Sequence, residues 1–316
     1  MTDISIVIPT FNRLWALPQA IDSCLAASGP AVEVIVVDDG STDGTWEFLR
    51  DRTDIVAIRT PNWGKDWAVQ AAMQVASGEY VRFLDSDDWL KPGANAAQLA
   101  IARDTDADVV VAGYADYWDD GRPSQVHPWI DCDDFVAQQL GEVAFSHYSA
   151  FLFRRSFVAD IPHRQEFALR DDRMFMLEVA IAKPRLAVYR GPAFVHRHHR
   201  QNRLQRNRGL QERLAHYTNV QVMRKAIGLL ERQGEATARR KQAAAAYLWP
   251  VVRDLAKTEL DEAAVAARWL LELAPGYTPR VRPIILAAYK HLGFRTTERL
   301  VRLRSLFRKS PPGPAS

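Results

Sequence analysis

Two short, nearly continuous apolar runs, Ile4–Pro9 (ISIVIP) and Val32–Val37 (VEVIVV), flank a segment in which Leu14, Leu17, Ile21 and Leu25 recur at helical spacing. A β-branched run without alternation marks a strand buried on both faces, and a helix between two such strands makes them parallel neighbours. The pattern continues with strands expected at Ile55–Ile58, Tyr80–Leu84 and Val109–Ala112, and helices at Thr45–Arg50, Trp67–Val75 and Ala94–Ala102. Residues 1–115 therefore read as an open, doubly wound, mostly parallel α/β sheet.

The rest of the chain is less regular. With 316 residues, 47% of them apolar, there is enough material for one large domain or two small ones. From Tyr114 to Arg164 the periodicity weakens and aromatic, Pro and acidic residues mix, which predicts loops and short elements. A helix is expected at Asp171–Ala182, its adjacent acids suiting the positive end of the helix dipole, with Pro184 ending it. Two short strands follow, Leu186–Tyr189 and Ala193–His196. Beyond Asn202 the chain is rich in Leu, Ala and Arg and reads as helical to Phe307, broken by Pro250, Pro275, Pro279 and Pro283. The final residues, 310–316 (SPPGPAS), have the composition of a disordered tail.

Several function classes are disfavoured by composition. A net charge of +3 is too small a surplus for a nucleic-acid binder, and the basic stretches lack the interleaved aromatics of a single-strand binding face. Only Cys24 and Cys132 occur, so neither a disulfide framework nor a Cys-rich zinc site holds the fold, and a reducing compartment is expected. No stretch approaches the roughly 18 uninterrupted apolar residues of a membrane span, and the first apolar run has no basic lead. Neither G-x-G-x-x-G nor G-x-x-x-x-G-K-[ST] is present, which disfavours a dinucleotide fingerprint or a P-loop.

In an open parallel sheet, ligands bind outside the carboxyl ends of the strands. Directly after the first strand come Thr10, Phe11, Asn12 and Arg13; after the second, Asp38, Asp39, Gly40 and Ser41; after Tyr80–Leu84, Asp85, Ser86, Asp87 and Asp88. Any one of the acidic clusters could be an ordinary turn or helix cap. Their joint placement after successive strands points instead to one shared edge. The five carboxylates gathered there would repel one another, and a cation is the simplest neutraliser; an all-oxygen set favours Mg²⁺ or Mn²⁺ over a soft metal. His198 or His199 could complete such a site, against the alternative of a solvated or phosphate-facing loop. Trp89, Trp118 and Trp129 are candidates for stacking on a sugar ring, with core packing as the competing role.

The ordered series IVIPTFNR, VIVVDDGSTD, the strand leading into LDSDDW, and the later pair Asp171–Asp172 resembles glycosyltransferase family 2, the inverting, nucleotide-sugar-dependent transferases of GT-A-type fold, over residues 3 to about 200. The resemblance implies that Pro9, Thr10, Asn12 and Arg13 line the nucleotide pocket, with Asp38 and Asp39 beside them and Asp39 on the base or ribose. It implies that Asp85 and Asp87 form the D-x-D that holds donor ribose and diphosphate through a divalent metal, with Ser86 between them. Asp172 falls at the catalytic base, with Asp171 where the family usually has Glu, one methylene longer. His196–Arg197–His198–His199 falls where many members keep an Arg and a His near the diphosphate. In place of the Arg-Asn or similar pair that members often carry after the Asn-Gly turn, this chain has Asn62-Trp-Gly-Lys65-Asp-Trp67, making Lys65 the candidate positive contact.

The expected activity is therefore metal-dependent, inverting transfer of a sugar from a nucleoside-diphosphate sugar to a hydroxyl of a glycan or lipid-linked acceptor, in surface polysaccharide biosynthesis. The competing reading is a non-catalytic sugar-nucleotide or glycan-binding module on the same fold. The organisation expected is a nucleotide-sugar-binding half at 1–115, an acceptor-binding and catalytic-base half at 116–200, and a helical region at 201–309. Arg197, Arg200, Arg203, Arg206 and Arg208 crowd one stretch, and residues 295–309 form a basic amphipathic helix suited to an anionic membrane surface, a packed terminal helix being the alternative. The expected location is cytoplasmic, either free or peripheral on the cytoplasmic face of the inner membrane.

Overall fold

The computed structural model describes residues 2–26, 29–199 and 210–307. The chain divides into two compact units, one formed by residues 1–133 and 144–202, the other by residues 134–143 and 203–316.

The first unit is built on a nine-stranded sheet: β1 (Ile4–Thr10), β2 (Val32–Asp38), β3 (Val56–Arg59), β4 (Tyr80–Phe83), β5 (Trp89–Leu90), β6 (Val109–Trp118), β7 (Gln125–His127), β8 (Leu152–Arg154) and β9 (Leu186–His198). Their order is β3-β2-β1-β4-β8-β6-β9-β5, with β7 paired to β6. The first four are mutually parallel, as the apolar runs predict, and every residue of β1 is buried between β2 and β4. Helices α1 (Leu17–Leu25), α2 (Thr45–Leu49), α3 (Lys65–Val75) and α4 (Ala94–Asp104) alternate with these strands, followed by α6 (Arg155–Val158) and α7 (Asp171–Ile181); α5 (Phe135–Gln139) belongs to the second unit. Because β2 and β4 leave β1 on opposite sides, the carboxyl end of β1 opens a crevice at the point where strand order reverses.

Beyond Ala112 the sheet departs from expectation. Strand β6 continues to Trp118, and Leu186–Tyr189 and Ala193–His196 are parts of the single strand β9. The intervening Gly191-Pro192 is absorbed by register irregularities opposite Ala112, Gly113 and Ala115, the kind of local bulge in which a strand tolerates both residues. Strand β8, only three residues long, pairs antiparallel with both β4 and β6 and carries no periodic signal of its own.

Strand β4 is anchored by Arg82, which is fully buried with no carboxylate beside it. Its guanidinium donates to Asn95 Oδ1 (3.0 Å), Ser149 O (2.9 Å) and Gln98 Oε1, and burial lowers it to about 10. These bonds hold β4, and so the segment that starts at Asp85, against α4 and the chain before β8.

The second unit comprises α5, α8 (Leu210–Arg232), α9 (Ala238–Leu255), α10 (Leu260–Leu273) and α11 (Pro283–Phe307). Pro250 lies inside α9 and does not end it. Its cost of about 3 kcal/mol in a helix interior is outweighed by the face on which Ala244, Leu248, Trp249, Val252 and Leu255 are buried. Pro283 opens α11, where its missing N–H costs nothing, and Gly293 (φ 74°) kinks that helix. Arg240 pairs with Asp134 (2.8 Å) and Arg239 with Glu142 (2.8 Å), fastening the short α5 segment to α9. The expected tail at 310–316 and the basic residues Arg200, Arg203, Arg206 and Arg208 lie outside the described residues.

Candidate functional site

The loops after β1, β2 and β4 are tied to one another by side chains. Asn12 adopts a left-handed conformation (φ 52°); its N–H donates to Ser41 Oγ (2.8 Å), and its Oδ1 accepts from Thr42 N–H (2.8 Å). Asp39 N–H donates to Thr10 O (2.9 Å), which joins the two strand ends. Asp38 Oδ1 accepts from Ser41 N–H (3.1 Å), and Arg59 Nε stands 3.6 Å from Asp38 Oδ2. Pro9, Thr10 and Ser86 are buried at this edge.

Asp39 is committed to the chain itself. Its Oδ1 accepts from Thr60 Oγ1 (3.0 Å) and Trp63 N–H (2.9 Å), and its Oδ2 accepts from Gly64 N–H (2.7 Å). These bonds set the turn that leads into α3, whose first residue is Lys65. The Lys65 ammonium reaches Asp85 Oδ1 at 2.5 Å and lies 5.2 Å from the Tyr148 ring. Burial by itself would lower the Lys65 pKa, but Asp85, Tyr148 and Asp172 outweigh it and hold the ammonium well above its ordinary value. Lys65 thus binds the acid after β4 and also feels the charge of Asp172 in the first turn of α7.

Asp87 accepts from His199 Nε2 at 2.8 Å, and Arg13 Nε lies 3.8 Å from the same carboxylate. His198 turns the other way, its Nε2 on Asp116 Oδ1 (2.7 Å), as consecutive residues leaving a strand do. Asp116 also binds His127 Nε2 (2.8 Å), and although burial works to raise its pKa, the two imidazoles bring it below its ordinary value. Asp88 is buried on His196 Nδ1 (3.2 Å) and Arg197 N–H (2.8 Å); burial raises it to about 6, with His196 opposing. The Arg197 guanidinium sits between the indoles of Trp15 (5.3 Å) and Trp89 (5.5 Å) and binds Asp119 (2.9 Å). Among the described residues no three or more His, Cys, Asp or Glu side chains are gathered as a ready-made metal cage. The facing oxygen of Asp87 and nitrogen of His199, with Asp85 beside them in sequence, do fit the donor preference of Mn²⁺ or Mg²⁺.

The two acids of α7 have different surroundings. Asp171 is buried, bound by His163 Nδ1 (2.5 Å) and by Arg164 N–H. Asp172 is partly exposed, and its Oδ1 accepts the N–H of Arg173 (2.8 Å). Trp89 packs edge-on against Tyr117, Trp118 stacks on His198 (4.9 Å), and Trp129 meets Phe151 edge-on. Phe11, Trp15, Trp63 and Trp67 are the exposed aromatic rings on the segments around the crevice.

Asp39, Asp85 and Asp87 thus lie on segments of one unit tied through Thr10, Lys65 and Arg13, and Asp172 of the same unit acts on the Lys65 ammonium. Residues 5–161 match the family model described as Glycosyl transferase family 2. These residues form a glycosyltransferase family 2 domain. The chain is 30% identical over 142 residues to glycosyltransferase GlyG of Streptococcus pneumoniae, a match covering 43% of this chain and 46% of that protein. It is 34% identical over 90 residues to the Escherichia coli protein WfaP, named a UDP-Glc:α-D-GlcNAc-diphosphoundecaprenol β-1,3-glucosyltransferase, covering 27% of this chain and 36% of that one. The chain therefore spans less than half the length of these two curated relatives. Among solved structures, residues 1–349 of Staphylococcus aureus TarS in complex with UDP-GlcNAc align with a TM-score of 0.68 at 17% identity, over 96% of this chain and 92% of that one. The mannosyltransferase PcManGT of Pyrobaculum calidifontis, in complex with GDP-Man and Mn²⁺, aligns with a TM-score of 0.53 at 17% identity, over 97% and 88% of the two chains. The fold is of the GT-A type, as the motif order implies.

Residues that the sequence did not single out complete the surroundings. Asp66 and His163 flank Asp171, and Asp116, His127 and His147 lie around the end of β9. Asp66 gave no signal of its own, because an acid in the first turn of a helix is what the dipole favours anyway.

Proposed function

We propose that this protein is an inverting, metal-dependent glycosyltransferase that moves a sugar from a nucleoside-diphosphate sugar to a hydroxyl of a glycan or lipid-linked acceptor in surface polysaccharide biosynthesis. The observation that carries the reading is the placement of Lys65 against Asp85, with Asp172 acting on the same ammonium. One cation is thereby bound by the acid expected to serve the donor and held charged also by the acid expected to serve the acceptor. Residues 1–115 hold the donor, with Pro9, Thr10, Asn12, Arg13, Asp38 and Asp39 around the nucleoside. Residues 116–200 hold the acceptor and its base.

An alcohol is a weak nucleophile whose proton becomes acidic as the new bond forms, and an ionised carboxylate within hydrogen-bond reach takes it. Asp172 is that carboxylate: it is partly exposed, whereas Asp171 is occupied by His163 and Arg164. Attack opposite the departing diphosphate inverts the anomeric centre. Lys65 and Arg13 supply fixed positive charge toward the leaving oxygens, which stabilises charge that grows as the bond breaks. Asp85, Asp87 and His199 would hold a divalent ion, which when bound offsets diphosphate charge as a Lewis acid.

A thermal-shift panel of nucleoside diphosphates and nucleotide sugars, with and without Mn²⁺ or Mg²⁺, tests donor and metal together, since a ligand selective for the native state raises its melting point. One nucleotide class is expected to raise Tm only with the metal present, and EDTA is expected to abolish both that shift and transfer. Equal shifts with and without metal would remove the metal from the reading.

No helix among the described residues is long and apolar enough to cross a membrane. On α11, Leu300 (51% exposed) and Leu303 (46%) stand beside exposed Arg299 and Arg302, a face suited to lie on anionic lipid. Co-sedimentation with phosphatidylglycerol vesicles is expected for the native chain and not for a Leu300→Glu, Leu303→Glu variant. Equal binding by both would exclude this face as the contact.

A further inference from the structure

In the first turn of α3, Asp66 is only 3% exposed, and its Oδ1 has no hydrogen-bond partner. It faces Asp171 in the first turn of α7, itself 5% exposed. Two carboxylates at that depth do not both ionise unless a cation lies between them. The nearest ammonium, Lys65, is turned to Asp85 at 2.5 Å. Both oxygens of Asp171 are already engaged by donors, Oδ2 by His163 Nδ1 and Oδ1 by Arg164 N–H. Asp66 is therefore the member that keeps a proton.

The segment between them is fastened to α3 and to the core. One turn beyond Asp66, Gln70 Nε2 donates to His163 O (2.8 Å). The His163 ring is in turn fixed by the core, stacked on Phe175 (4.4 Å, 13°) and edge-on to Phe83 (5.1 Å), which leaves Nδ1 aimed at Asp171.

We propose that Asp66, holding a proton, is a positioning residue of this site: it donates a hydrogen bond to Asp171 and so fixes the first turn of α7 that carries Asp172. The inference rests on the reading of Asp172 as the base. It adds a residue that touches neither donor nor acceptor and makes the geometry of the base depend on a single buried proton.

The charged groups around Asp66 agree with this. Burial raises its pKa first and foremost, Asp171 and Asp172 on α7 raise it further, Lys65 on its own helix opposes them, and the result is about 7. Between the unfolded value of 3.8 and about 7, the folded protein keeps a proton that the unfolded chain has released. Stability from this group is therefore complete below the unfolded value and is lost as pH rises through that window, then levels.

The test compares the wild type with Asp66→Asn and Asp66→Ala. The Asn amide donates to Asp171 at every pH. The Tm advantage of Asp66→Asn over the wild type is expected to widen from about pH 5 to about pH 7.5 and then to stay constant. Wild-type kcat is expected to fall through neutrality and to level about tenfold lower, near the rate of Asp66→Ala, while Asp66→Asn holds its rate. Asp66→Ala, with no donor, is expected to lose about tenfold in kcat at all pH values with donor KM within about twofold. A Tm difference independent of pH, or superimposable kcat profiles for wild type and Asp66→Asn, overturns the proposal. If none of the three proteins turns over any sugar nucleotide, the transferase reading fails, and the melting series alone decides the Asp66–Asp171 pair.

Discussion

Substitution of Asp172 by Asn is expected to lower kcat by about 10² to 10⁴ while leaving donor affinity within about twofold. The amide is isosteric and keeps an oxygen to accept the Arg173 N–H, so the first turn of α7 is preserved and only the proton acceptor is lost. In the proposed function donor binding falls to the ends of β1, β2 and β4, none of which Asp172 contacts by a hydrogen bond. Steady-state transfer assayed beside calorimetric titration of the donor separates the two quantities. Near-normal turnover would remove Asp172 from the chemistry. Asp171→Asn should behave differently, because it sets an amide against the His163 and Arg164 donors, and its first effect is on melting rather than on kcat.

Asp39→Ala is expected to destabilise the sheet unit by about 3 kcal/mol, since it leaves Thr60 Oγ1, Trp63 N–H and Gly64 N–H without their buried acceptor. At about 2 to 4 °C per kcal/mol for a unit of this size, Tm should fall by about 6 to 12 °C. Activity should fall with it, because those bonds set the turn that delivers Lys65 to Asp85. Asp39→Asn keeps the two bonds to Oδ1 and opposes an amide to Gly64 N–H, so an intermediate loss is expected. Melting of the Ala variant within about 1 °C of wild type would show that the turn holds itself, and would restrict Asp39 to ligand contact. The two outcomes bear on what an acid at this place does: in this structure Asp39 sets the turn that leads into α3.

The parallel core, and the edge at which the acids gather, follow from local sequence alone. Runs such as Ile4–Pro9 and Val32–Val37 have no polar face to present to water, and the helices between them leave parallel pairing as the outcome. The polar clusters after each run then fall at the carboxyl ends by chain connectivity, whatever their individual roles. The later half was less legible. Strand β8 is too short to show a period, β9 runs through Gly191-Pro192 because a bulge opposite them takes up the irregularity, and Pro250 is carried within α9 by the burial of its neighbours. Each of these depends on partners distant in the chain, and a window of sequence contains none of them.

For the site, residue type and order singled out the acids that follow the strands, since a carboxylate is a carboxylate wherever it stands. Tertiary structure decided what each one faces: His199 on Asp87 but His198 on Asp116, Asp39 on the turn before α3, Asp171 enclosed by His163 while Asp172 stays open, and Asp66 buried against Asp171. The physical reason is that charge state and accessibility are set by burial and by the partner across the gap, and both are properties of the folded surroundings, not of the residue.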